Sequence, residues 1–262
     1  MVTPREVPVN ELVAVTPELT LPAPSRVFYI ASALSGLRGL QATEKRREVP
    51  LPTLVLRDSL KVDTDTLRAV QAVLDAAPSF QQYKDALLTH GVGSVSREDV
   101  GLLLRAVKDL WREAVWYACA EELGTLLSVT PESSLHTIWL AHINNSANGV
   151  ARGGPEDERC HRWTSILFDV AIEVGAQDIM NGYIALEKHI TSLGLDECWD
   201  LRPLLDGNRL MKELPSLKKG PLIGRVMDAQ LRWQLRNGPE GTVEELKTFL
   251  NSILIDMNNG GS

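Results

Sequence analysis

Apolar side chains recur at three- and four-residue spacing along most of this chain, the period of a helix with one buried face. The pattern is sharpest over residues 205–235. There Ile223, Val226, Met227, Leu231 and Leu235 form one stripe, and Arg225, Asp228, Arg232 and Arg236 fall on the opposite face. A shorter helical segment over 209–214 precedes it and breaks at Pro215-Ser216. Gly220-Pro221 opens the longer helix, because proline has the right φ for a first turn and lacks an N–H that would go unpaired there.

The same period predicts helices over 27–37, 54–60, 66–76, 79–88 and 100–110, the last continuing through Trp111, Trp116 and Cys119 to Leu127. Thr130-Pro131-Glu132 starts another with Leu135, Ile138, Trp139 and Ile143 behind it. A polar, glycine-rich loop follows at 144–155, and two more helices cover 156–174 and 184–193. Thr242-Val-Glu-Glu launches a last helix through Ile255. No alternating β-branched run and no fixed-period repeat occurs. The expected fold is all-α: an irregular multi-helix stack with a body over 26–199 and a smaller helical tail over 200–257. A proline-rich extended lead-in occupies 1–25, and 258–262 should fray.

A hydrophobic share of 44% over 262 residues is enough for a sizeable core, as one large or two modest domains. No apolar run is long enough to span a membrane, and the N-terminus lacks a secretory pattern, so the expected location is intracellular, with cytoplasm, nucleus and mitochondrion undivided. Cys119, Cys160 and Cys198 are odd in number and far apart, which fits reduced packing better than disulfides or zinc.

Net charge is −7, which by itself speaks against nucleic-acid binding. Its distribution changes that. Residues 201–239 hold eight Lys/Arg against three Asp/Glu, and 38–61 hold six against three, leaving −15 for the remainder. Local field steers an anion more than total charge does. At the start of the tail helix, backbone N–H groups and the positive dipole end meet Lys218, Lys219 and Arg225, a combination that suits phosphate. Ordinary helix punctuation with solvated lysines explains the same residues.

Catalytic motifs are scarce. No phosphate-cradling glycine loop, GxSxG or HExxH is present. Asp63-Thr-Asp65 has the spacing of a magnesium-binding D-x-D, yet it precedes an amphipathic run, so Asp63 reads as an N-cap and Asp65 as a first-turn acid. His136 and His142 have the wrong spacing for one helix face, and Cys160-His161 diverge. Trp111, Trp116, Trp139, Trp163 and Trp199 read as core, with Trp233 open.

Two separated stretches resemble the eukaryotic CCA-adding enzymes (class II tRNA nucleotidyltransferases), the fungal members best. One is Phe28-Tyr-Ile-Ala-Ser-Ala-Leu-Ser-Gly-Leu-Arg-Gly-Leu with the basic loop Lys45-Arg46-Arg47 and Val55-Leu-Arg-Asp-Ser-Leu-Lys61, similar to the family's body. The other is Leu205-Asp-Gly, then Lys219-Gly-Pro-x-Ile-Gly to Trp-Gln-Leu235 and Thr242-x-Glu-Glu, similar to its tail. In the family, a head domain carries the metal-binding D-x-D and a neck carries E-D-x-x-R for the incoming nucleotide. Here no strand-borne D-x-D exists, and Glu156-Asp-Glu-Arg159 has neither the spacing nor the place.

The resemblance therefore implies a C-terminal body-and-tail portion, inactive alone, with Mg2+ and CTP or ATP belonging to the head. It implies tRNA and the enzyme's own head and neck domains as partners, and no membrane. Shape and backbone recognition of A-form RNA would follow. The phosphate-contact candidates are Lys218, Lys219, the Gly220 N–H and Arg225, with Arg209 and Lys212 nearby. A second set is Lys45, Arg46, Arg47, Arg57 and Lys61, where Arg57 with Asp58 also fits a surface pair. The alternative function is a helical protein-interaction module without nucleic-acid binding.

Overall fold

A computed structural model describes residues 25–129, 176–215, 217 and 220–259. The expected helices over 130–143 and 156–174, and the loop between them, lie outside the described residues, as do Lys218 and Lys219. The chain forms two compact units. One comprises residues 1–94 and 106–192, the other 95–105 and 193–262.

In the first unit, α1 (Arg26–Leu34) starts at Ser25, whose hydroxyl accepts from the Val27 and Phe28 N–H groups. Next come β1 (Gln41–Glu44) and β2 (Arg47–Pro50), an antiparallel hairpin in register from Gln41 opposite Pro50 to Glu44 opposite Arg47. α2 (Leu51–Leu54) runs directly into a π-helical turn over Val55–Ser59. α3 (Thr64–His90), α5 (Trp111–Val129) and α6 (Gln177–Ser192) build the core. α3 packs on α1, α5 and α6. Phe28, Val73, Leu74, Phe80, Trp111, Trp116, Leu123, Tyr183 and Leu186 are buried there. An ion pair made by the buried Lys84 and the half-buried Glu122 lies at this core. Lys84 Nζ lies 2.6 and 2.7 Å from the Glu122 carboxylate oxygens, which also accept from the Tyr183 hydroxyl at 2.8 Å.

The second unit takes most of α4 (Arg97–Val107), with α7 (Gly207–Glu213), α8 (Pro221–Asn237) and α9 (Val243–Asn259). Leu205, Leu210, Leu214, Leu217, Val226, Trp233, Leu246, Leu250 and Leu254 form its core. A reciprocal capping box opens α9: Glu245 Oε2 accepts from Thr242 N at 2.9 Å, and Thr242 Oγ1 accepts from Glu245 N at 3.3 Å.

The fold is predominantly helical, as the periodicity predicts, with four local corrections. Residues 41–50 form a hairpin, because paired strands of four residues need no apolar alternation when one small sheet stands alone. The helices expected over 66–76 and 79–88 are one helix, since Pro78 is exposed while Ala76, Ala77 and Phe80 around it are buried. Tertiary packing holds the helix through the missing hydrogen bond. The run from Val100 to Leu127 is two helices, because Lys108 takes a left-handed φ of 55° between them. α6 begins seven residues earlier than expected. A Cβ at Gly182 would come within 2.9 Å of Leu88 and 3.0 Å of Lys84, so glycine there permits close packing of the helix's first turns.

Candidate nucleic-acid interface

The tail set is assembled by two helix starts. Gly220, with φ 146° and ψ −164°, occupies backbone space that glycine alone enters readily, and its carbonyl accepts from Ile223 N at 3.1 Å to open α8. Val226 and Leu235 are buried and Ile223, Met227 and Leu231 partly so, which turns Arg225, Asp228, Arg232 and Arg236 to solvent. Trp233 is also buried, beside Phe249 at 6.5 Å between ring centroids. Asp206 caps α7 by accepting from Arg209 N at 2.8 Å. Leu210 and Leu214 face the core, so Arg209 and Lys212 are exposed.

Two glutamines that the apolar stripe does not reveal hold the approach to α7. Gln230 donates to the Leu205 carbonyl at 3.0 Å and accepts from its N–H at 3.2 Å. Gln234, one turn later, donates to the Arg202 carbonyl at 3.0 Å and accepts from Leu204 N at 3.4 Å. The side-chain amides mimic a strand partner and pair backbone groups that burial would otherwise leave unsatisfied. They also fix the backbone of exposed Arg202, a basic residue absent from the sequence-based set.

The tertiary structure then sorts the basic residues. Arg232 and Arg236 both reach Glu98 of α4, at 3.3 and 2.6 Å, and Arg232 also pairs with Asp228 at 2.8 Å. Arg97 donates to the Leu193 carbonyl at 3.2 Å and to that of Leu235. Arg105 donates to the Cys198 and Trp199 carbonyls at 2.8 and 3.0 Å. Lys247 pairs with Glu213 at 2.9 Å, and that hydrogen bond holds the Glu213 carboxyl below its ordinary range. These groups serve the unit itself. Among the described residues Arg202, Arg209, Lys212 and Arg225 remain within 202–225, where the acids are Asp206, a cap, and Glu213, already paired; Lys218 and Lys219 of the sequence-based set lie outside the described residues.

The second set belongs to the first unit. Lys45 and Arg46 are the two turn residues of the hairpin, Arg47 begins β2 opposite Glu44, and all three are exposed. Lys61, also exposed, follows the π turn at φ 48°. Arg57 pairs with Asp58 and also with Glu44 at 2.9 Å, a partner thirteen residues away that local spacing does not predict. The Asp58 hydrogen bond, then that of Glu44, pushes the Arg57 guanidinium above its ordinary pKa.

The D-x-D residues do not fit a metal. Asp63 caps α3, accepting from Thr66 N at 2.8 Å and Thr66 Oγ1 at 2.6 Å, and these bonds hold its pKa low. Asp65 pairs with Arg68 at 3.5 Å. Among the described residues, no three His, Cys, Asp or Glu side chains gather as a metal site, and no helix is long and apolar enough to cross a membrane. Cys119 and Cys198 are buried free thiols, and burial pushes Cys198 up to about 11. His136, His142, Cys160, His161 and the 156–159 stretch lie outside the described residues.

Comparison with known proteins finds relatives of this chain. No family model matches this sequence, and no solved structure matches it. The tRNA nucleotidyltransferase cca1 of Schizosaccharomyces pombe is 22% identical over 219 residues, which is 84% of this chain and 35% of that protein. The tRNA nucleotidyltransferase cca2 of the same yeast is 31% identical over 94 residues, 35% of this chain and 19% of that protein. The mitochondrial CCA tRNA nucleotidyltransferase of Saccharomyces cerevisiae is 36% identical over 76 residues, 29% of this chain and 14% of that protein. The match thus spans about a third or less of each relative's length. This chain is a relative of the fungal CCA tRNA nucleotidyltransferases, similar to them over part of their length.

Proposed function

We propose that this chain is the tRNA-binding body and tail portion of a CCA-adding enzyme. It holds the acceptor stem and elbow through backbone contacts while a head domain outside this chain, using Mg2+ and CTP or ATP, extends the 3′ end. The observation that carries this function is the relationship to tRNA nucleotidyltransferases over 84% of the chain. Arg202, Arg209, Lys212 and Arg225, which internal pairing leaves over among the described residues, together with Lys218 and Lys219 of the same stretch of sequence, are consistent with a phosphate-facing surface. Lys218, Lys219, the Gly220 N–H and Arg225 are the principal contacts, Arg209 and Lys212 flank them, and the hairpin region supplies a second group. Recognition is by shape and phosphate spacing, because an A-form duplex hides most of its base edges from side chains.

The test is tRNA binding by the chain at low and moderate salt, beside a Lys218→Ala/Lys219→Ala variant. Affinity should fall steeply with salt, since each neutralised phosphate releases counterions, and fall further in the variant. Absence of binding at low salt would sink the proposal.

A further inference from the structure

Between Gln41 and Lys61 the backbone departs three times from ordinary geometry. Lys45 and Arg46, at φ 47° and 68°, fill both places of the two-residue turn between β1 and β2. Val55–Ser59 winds as a π-helical turn, and Lys61 follows at φ 48°. Among the described residues, three of the four non-glycine positions with positive φ are therefore basic residues of this one stretch. A turn with both residues at positive φ is relaxed with Asn-Gly and strained with Lys-Arg. Strain of this kind concentrates where the displayed groups do work.

Arg57 connects these features. From the π turn, its Nη2 donates to Glu44 Oε2 at 2.9 Å and to Asp58 Oδ2 at 2.8 Å, while Nε donates to Asp58 Oδ1 at 2.8 Å. Glu44 immediately precedes the turn and faces Arg47 across the hairpin. Unpaired, its carboxylate would stand beside Lys45, Arg46 and Arg47 and weaken the field that a polyanion meets. Three consecutive exposed cations with an internally neutralised neighbour suit closely spaced phosphates better than an apolar partner surface.

We propose that Arg57 is a positioning residue: it binds and neutralises Glu44 so that the strained Lys45-Arg46 turn presents positive charge to RNA phosphates. This rests on the RNA-binding function above and deepens it. It places a second contact on the first unit and moves Arg57 from phosphate ligand to support.

The experiment titrates the full chain with tRNA across a KCl series, comparing wild type, Arg57→Gln, Glu44→Gln, the double variant and Lys45→Gln/Arg46→Gln. Arg57→Gln should weaken binding by about fivefold at low salt, the size of one uncompensated surface charge. Adding Glu44→Gln should restore affinity to within about twofold of wild type, because the double variant keeps the wild-type net charge around the turn. A loss that persists in the double variant would make Arg57 a direct ligand and overturn the proposal. Lys45→Gln/Arg46→Gln should reduce the steepness of the log–log salt dependence by about one to two. Unchanged affinity and steepness would remove the hairpin contact while leaving RNA binding by the chain intact. Failure of wild type to bind at low salt would remove the RNA-binding function itself, and this inference with it.

Discussion

At His189 a single side chain carries a measurable pH dependence. It lies on α6 at 1% exposure, and neither ring nitrogen has a hydrogen-bond partner among the described residues. Burial lowers its pKa, because a charged imidazolium would be desolvated with nothing to compensate it. The unfolded chain, with His189 at its ordinary value near 6.5, therefore takes up the proton first. Stability from the neutral, buried ring is complete above that value and drains away as pH falls below it. The midpoint of urea unfolding followed in the first unit should drop between pH 7 and pH 5, and His189→Leu should flatten that drop. An equal drop in both proteins would contradict the assignment. The place of His189 in a helical stripe suggests burial, and only the packed core shows that none of the described residues partners its ring.

At the scale of elements, the hairpin sets stability against display. Both turn residues sit in left-handed geometry, which costs a non-glycine residue on the order of 1–2 kcal/mol. Lys45→Asn/Arg46→Gly should therefore raise the unfolding free energy by about 1 kcal/mol, read by urea denaturation, while weakening tRNA binding. A variant that is no more stable would show the turn to be relaxed as it stands. Helical elements were legible because their stripes and caps are local: Asp63 and the Thr242–Glu245 box each mark a start that the hydrogen bonds bear out. The hairpin was not, because Gln-Ala-Thr-Glu and Arg-Glu-Val-Pro carry no apolar alternation and Lys-Arg is no turn signature. Continuity through Pro78 escaped local rules for the opposite reason, since buried neighbours outweigh one lost hydrogen bond.

For the molecule as a whole, charge is organised by long-range pairing. The second unit holds eleven Lys/Arg against twelve Asp/Glu, so it is not basic in total. The +5 of residues 201–239 includes Arg232 and Arg236, which Glu98 of α4 neutralises from more than a hundred positions away in sequence. Two variants separate the classes of arginine. Arg236→Gln should cost stability, by up to about 1 kcal/mol for a partly exposed pair, and leave tRNA affinity within twofold. Arg209→Gln/Lys212→Gln should leave stability unchanged and lower both affinity and the salt steepness, the latter by about one to two. Thermal unfolding and tRNA titration of the same two proteins check this, and the converse assignment would refute it.

Sequence alone determined the helical character, the helix starts at Gly220-Pro221 and Thr242, the exposed arginine face of α8 and the kinship with fungal CCA tRNA nucleotidyltransferases. Those are consequences of nearest-neighbour periodicity, capping chemistry and motif order, which need no third dimension. Tertiary structure decided which polar groups are internal. Gln230 and Gln234 lie on the buried side of α8 because the backbone of 202–205 needs partners there. Segment 95–105 joins the tail's unit because Glu98 and the Arg97 and Arg105 guanidiniums meet groups from 193–236. Such pairings depend on which distant residues folding brings within hydrogen-bond range, and local pattern holds no record of that.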